Sequence, residues 1–142
     1  MKKVYKTVSS EETIFLAKEI MSSLPLGSVV LLTGDLGAGK TTFVKGVGEY
    51  LGIKDKVLSP TFNIMKVYFN GDKSLIHIDA YRLEDKSIDI GLDEYIGYEK
   101  GYTMIEWPMF ISPLIPSHHY LVDIKNIGDD VREISFEEVN ND

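Results

Sequence analysis

From Gly34 to Thr41 the chain reads Gly-Asp-Leu-Gly-Ala-Gly-Lys-Thr, and this stretch constrains the fold more tightly than any other in the sequence. Gly34, Gly39, Lys40 and Thr41 meet the pattern G-x-x-x-x-G-K-[ST], in which each residue type has a physical task. Glycines let the backbone curl so that successive N–H groups point inward at an anion, reinforced by the positive end of the helix that follows. Lys40 has the reach to meet β- and γ-phosphates, and Thr41 offers a hydroxyl to Mg²⁺. A glycine-rich turn with an ordinary surface lysine is the bland alternative. The flanking sequence argues against it, because the pattern has meaning only between a strand and a helix.

Both flanks are present. Ser28-Val-Val-Leu-Leu-Thr33 is a short apolar run rich in β-branched residues, as expected of a strand buried on both faces. Downstream, Phe43, Val44, Val47 and Leu51 mark one face of a helix that Gly52 closes. Before the loop, Lys3 to Val8 suits a short edge strand, and Ser9-Ser-Glu-Glu12 has the spacing of a capping box. The helix it starts carries Ile14, Ala17, Ile20, Met21 and Leu24 at helical period, with Pro25 and Gly27 ending it.

After the loop helix, Ile64 to Phe69 and Leu75 to Asp79 flank Asn70-Gly71-Asp72, a strong hairpin signal. A helix is expected around Leu92 to Ile96, a strand at Tyr102 to Glu106 stopped by Trp107-Pro108, and a terminal antiparallel pair at Tyr120 to Lys125 and Arg132 to Phe136. The acidic tail from Glu137 to Asp142 reads as frayed. The fold class is therefore α/β of the P-loop NTPase type: a mostly parallel central sheet flanked by helices, with a C-terminal antiparallel strand pair. Residues 1–142 are read as one domain, since this length suits one core better than two.

Two strands end in an acid, Leu75-Ile-His-Ile-Asp79 and Tyr102-Thr-Met-Ile-Glu106. Carboxyl ends of adjacent parallel strands face one crevice, so both carboxylates can meet a bound phosphate; which holds metal and which orients water stays open at this level. His77 and Asp79 share a strand face, where a packed histidine is a better reading than a metal pair because no third ligand lies nearby. His118 and His119 receive no role. Trp107 suits stacking on a base or a partner, or simple packing.

Composition narrows the chemistry. The formal net charge of −7 is the wrong sign for gripping a phosphate backbone unaided, so an RNA substrate would need a partner to hold it. There is no cysteine, the N-terminus lacks the apolar stretch of a signal peptide and no run is long enough to span a bilayer, so the expected setting is the cytoplasm, with no membrane role. No Asn/Thr-Lys-x-Asp guanine reader occurs, which favours ATP. Kinases of this fold clamp the transferred group with several arginines, whereas this chain has only Arg82 and Arg132. Hydrolysis is preferred over phosphoryl transfer, with a small-molecule or nucleotide kinase as the alternative.

The order of motifs then becomes specific: the glycine loop through Thr42, Ser59-Pro-Thr-Phe62, His77-Ile-Asp-Ala-Tyr-Arg-Leu83, Gly91-Leu-Asp-Glu-Tyr95 and Ile105-Glu-Trp-Pro108. This set resembles the TsaE (YjeE) family of bacterial ATPases, which support threonylcarbamoylation of the adenosine beside the anticodon of tRNAs. The resemblance implies slow, Mg²⁺-dependent ATP hydrolysis while docked on the TsaB–TsaD heterodimer, with tRNA met only through that complex. It also implies that Lys40 and the loop from Gly34 through Asp35, Leu36, Gly37, Ala38 and Gly39 to Thr41 and Thr42 hold ATP or ADP. Thr41 and Glu106 would ligate Mg²⁺, and Asp79 would position or activate the attacking water. Thr61 would lie near the γ-phosphate in a switch-like segment, and Trp107 close to the nucleotide. Nothing in the resemblance assigns a role to Arg132.

Overall fold

The computed structural model describes residues 2–34, 39–54, 57, 64–83 and 92–141. The elements run β1 (Lys2–Thr7), α1 (Ser10–Ser22), β2 (Val29–Gly34), α2 (Lys40–Leu51), β3 (Met65–Asn70), β4 (Lys73–Asp79), β5 (Gly101–Glu106), β6 (His118–Gly128) and β7 (Val131–Asn140). Short 3₁₀ turns at Ala80–Leu83, Leu92–Glu94 and Pro108–Leu114 connect them; the segment expected as a helix near Leu92 is one of these turns.

All the strands join one seven-stranded sheet in the order β1-β7-β6-β2-β5-β4-β3. It is mixed, which corrects the mostly parallel sheet expected from sequence. The centre is parallel, with β2 between β5 and β6 and β5 beside β4. Both flanks are antiparallel, through β3–β4 on one side and β6–β7–β1 on the other. The reason is connection length, since a two-residue turn can only join antiparallel neighbours. Asn70 pairs with Lys73 and Gly128 with Val131, leaving Gly71-Asp72 and Asp129-Asp130 as the turns. Gly71 at φ +64° supplies the left-handed backbone that the first turn needs.

The C-terminal reading is also corrected. Glu137 to Asn140 belong to β7, where all four pair with β6 and Glu137 also pairs with β1. Lys2 lies opposite Glu137 across the β1–β7 pair, and the His118 ring sits 2.6 Å from Glu138.

α1 begins where the sequence places it. Ser9 Oγ accepts from the Glu12 N–H at 3.1 Å, and the Glu12 carboxylate accepts from the Val8 N–H at 2.9 Å. The helix stops at Ser22, ahead of Pro25, because the residue before a proline is driven out of helical geometry; Leu24 nevertheless stays in the core. The two helices do not flank the sheet, as the sequence suggested, but pack together on one face over Val30, Leu32, Leu75, Met104 and Val122. Gly46 permits this, since a Cβ there would stand 2.6 Å from the Ala17 Cβ and 2.8 Å from the Ile14 carbonyl oxygen. The 3₁₀ turns cover the other face, over Val29, Leu31, Ile76, Ile78 and Ile105. The C-terminal ends of β2, β4 and β5 thus open toward the start of α2.

Candidate functional site

Lys40 is the first residue of α2, and Gly39 before it adopts φ +108°, a left-handed conformation that lets the chain swing from loop into helix without a Cβ clash. The Lys40 side chain is buried, with its ammonium donating to the Gly34 carbonyl at 2.9 Å. The same Nζ stands 3.9 Å from Glu106 Oε1 and 4.5 Å from the centre of the Trp107 ring. A buried cation is stable only with such partners, and here a carbonyl dipole, a carboxylate and a π face supply them.

The two strand-end acids meet as expected. β4 and β5 are adjacent and parallel, and Asp79 lies in register with Glu106, so both carboxylates project on the α2 side of the sheet. Asp79 is half-buried, and burial pushes its carboxyl above the ordinary 3.8; the Tyr81 N–H, donating to Oδ1 at 3.1 Å, pulls the other way, Glu106 adds to the rise, and His77 and Lys40 oppose it. Glu106 is almost fully enclosed, and its Oε2 lies 2.6 Å from His77 Nε2.

His77 is packed and fully buried. Among the described residues its Nδ1 has no hydrogen-bond partner, and no group of three or more His, Cys, Asp or Glu side chains could hold a metal. Of the two neutral tautomers, this selects the one with the proton on Nε2. A proton on Nδ1 would be a buried donor with no acceptor, at a cost of about 1–3 kcal/mol, whereas on Nε2 it is donated to a carboxylate. His77 therefore donates and Glu106 accepts.

Trp107 occupies left-handed backbone, at φ +58°, directly after β5. For a bulky residue this is strained geometry, of the kind that clusters at functional sites. It turns the indole across the crevice, 4.9 Å from the Tyr81 ring and near-parallel to Phe110 at 6.1 Å. Thr41 and Thr42 are half-buried in the first turn of α2. Thr42 lines a small recess with Ser9, Ser10, Thr13, Gly39, Asp130 and Arg132.

The structure thus brings together Gly34, Gly39, Lys40, Asp79, Glu106 and Trp107, with Thr41 beside them. Asp35, Leu36, Gly37, Ala38 and Thr61, with the whole Ser59 to Phe62 segment, lie outside the described residues. Two side chains near the site were not given a part by sequence reasoning. One is His77, whose signal was its place two residues before Asp79 on a strand. The other is Arg132, whose Nε stands 3.6 Å from where a Cβ on Gly39 would be, and whose Nη1 donates to the Asp129 and Val131 carbonyls and to Asn126 Oδ1. Its approach follows from β6 lying parallel beside β2, which returns the β6–β7 turn to the loop; nothing local in the sequence announces that pairing.

Known proteins resemble this chain in sequence and fold. The family model described as threonylcarbamoyl adenosine biosynthesis protein TsaE matches residues 7–134. A Bacillus subtilis protein named tRNA threonylcarbamoyladenosine biosynthesis protein TsaE is 47% identical over 137 residues, covering 96% of this chain and 86% of its own. A Treponema pallidum protein of the same name is 37% identical, covering 89% of this chain and 94% of its own. The crystal structure of Bacillus subtilis YdiB superposes with a TM-score of 0.84 at 41% identity, covering 99% of this chain and 88% of that one. With a family model spanning most of its length and relatives at this identity, the chain belongs to the TsaE family.

Proposed function

We propose that this chain is a cytoplasmic P-loop ATPase that supports tRNA threonylcarbamoyladenosine biosynthesis by binding and hydrolysing ATP with Mg²⁺ on the TsaB–TsaD heterodimer. The observation that carries the reading is the convergence of Lys40 at the start of α2 with the in-register pair Asp79 and Glu106. The relatives' names supply the process, and the ordered motifs that resemble the family supply the partners.

The residues present fit the groups this reading needs. A magnesium ion takes oxygen ligands and keeps several waters, and the Thr41 hydroxyl with the Glu106 carboxylate is a donor set of that kind. When bound, the ion supplies neutralisation of charge on the phosphates and a fixed orientation for them. Lys40, already poised at the mouth of the loop, binds phosphate by exchanging part of its present contacts. Asp79 accepts a proton from, or orients, the attacking water. Burial makes its carboxylate more basic than an exposed aspartate, which favours that task. The rest of the loop contributes backbone N–H groups. The net charge of −7 suits a protein that meets tRNA only through partners.

The deciding experiment is reconstitution. Phosphate release from labelled ATP is measured for the chain alone and with a TsaB–TsaD heterodimer, alongside co-purification with and without nucleotide. Hydrolysis to free phosphate and a nucleotide-dependent complex are expected. Absence of both sinks the proposal, and label passed to a metabolite in place of water establishes the kinase alternative.

A further inference from the structure

We propose that His77 is a positioning residue for Glu106, holding one carboxylate oxygen so that the other faces the phosphate crevice. The inference rests on the reading above, in which Glu106 serves Mg²⁺, and adds a residue to it.

The geometry gives Glu106 two unlike oxygens. Oε2 accepts from His77 Nε2–H at 2.6 Å, while Oε1 is turned toward Lys40 Nζ at 3.9 Å. A glutamate has three rotatable bonds, and a carboxylate left to itself presents either oxygen. Here the imidazole removes that freedom from beneath. His77 has no solvent exposure, so it touches neither nucleotide nor bulk water, and its hydrogen-bonded contact in the site is Glu106. Its backbone is equally fixed, because it sits inside β4, two residues before Asp79 and one strand away from Glu106. One strand therefore supplies both the acid that faces the water and the post that steadies the acid of the next strand. Carboxylates that serve metals are commonly held by such outer hydrogen bonds, and losing one costs about 10- to 100-fold in metal affinity or activity.

A histidine that merely fills the core and one that positions Glu106 predict different things about reach. Gln carries an N–H donor at nearly the distance of Nε2 from the backbone, whereas Asn stops near the position of Nδ1 and Leu has no donor. Calorimetry of ATP binding, with Mg²⁺ and in excess chelator, is run on the wild type, His77→Gln, His77→Asn and His77→Leu, with thermal melting of each. The magnesium-dependent increment of affinity should survive in His77→Gln to within about threefold and fall by about 10- to 100-fold in His77→Asn and His77→Leu. Affinity in chelator should stay level throughout.

If His77→Leu does not fold, the Gln–Asn comparison carries the test. An Asn variant that keeps the wild-type increment overturns the proposal, as does a Gln variant that loses it as fully as Asn. A fall that tracks melting temperature and appears equally in chelator also overturns it, since that marks a purely structural histidine. A wild type with no magnesium-dependent increment overturns the nucleotide reading itself and this inference with it.

Discussion

Replacing Lys40 by methionine keeps the aliphatic stem against Trp107 and removes only the charge. For a phosphate oxygen brought to about 4 Å, the gross attraction at an effective dielectric constant of about 20 is about 4 kcal/mol. The resting lysine is not idle, however, so binding is an exchange. It surrenders some of the hydrogen bond to the Gly34 carbonyl at 2.9 Å, about 1.5 kcal/mol for a charged donor, and some of its contact with the Trp107 ring at 4.5 Å, about 0.5 kcal/mol. A net loss of about 2 kcal/mol remains, which is about 30-fold in Kd. The assay is built into the site. Trp107 is the only tryptophan, and its ring carries the ammonium, so its emission should change as nucleotide draws Lys40 away. Titration of wild type and Lys40→Met with ATP and Mg²⁺, checked by calorimetry, gives the ratio. A Kd within about threefold of the wild type would refute the reasoning, because a buried ammonium beside the proposed phosphate site cannot be that inert.

Asp79→Asn should separate function from stability. ATP binding persists while hydrolysis falls by about 10²- to 10⁴-fold in single-turnover assays, the usual contribution of a positioned acid or base. Because burial holds the folded carboxyl above 3.8, ionisation is disfavoured in the folded state; that penalty is absent below the unfolded value and complete above the folded one. The Asn variant should therefore melt higher at neutral pH, with an advantage that fades as pH falls toward 3.8, and an advantage that grows on acidification contradicts the sign. Gly46→Ala should lower the urea midpoint despite a helix-propensity gain of about 1 kcal/mol, since overpacking against Ala17 and Ile14 costs about 1–3 kcal/mol. An unchanged or raised midpoint would mean that the two helices separate at little cost.

What was legible in the sequence was local. Ser9 and Glu12 announce a helix start through hydrogen bonds that span three or four residues, and Gly52 and Gly71 announce left-handed backbone that other residues rarely adopt. The run from Val29 to Thr33 announces a strand buried on both faces. Pairing was less legible because nothing local encodes which strands become neighbours. β6 reads as alternating and so as part of a terminal hairpin, which it is. That its other edge lies parallel against β2 depends on the whole chain. The acidic end of β7 misled for a related reason: composition suggests disorder, while the stretch is paired along β6, and Glu137 along β1, by strands distant in sequence.

The site divides along the same line. Lys40 and the glycines are encoded by contiguous residues, and Asp79 and Glu106 by their place at strand ends, so the motif and the strand pattern together put them in one crevice. The charge balance within that crevice is not contiguous anywhere. Lys40 leans on Glu106, Glu106 on His77, and Trp107 covers Lys40 at the cost of left-handed backbone. Each contact joins a different element: α2, β5, β4 and the turn after β5. With one ammonium set against two carboxylates, the site has no surplus positive field for a distant anion, so in the proposed reading phosphate is bound by exchange of contacts at short range. That is why the expected penalty for losing the lysine charge is only tens of fold, and why the hydrogen bond beneath Glu106 has leverage on a group it never touches.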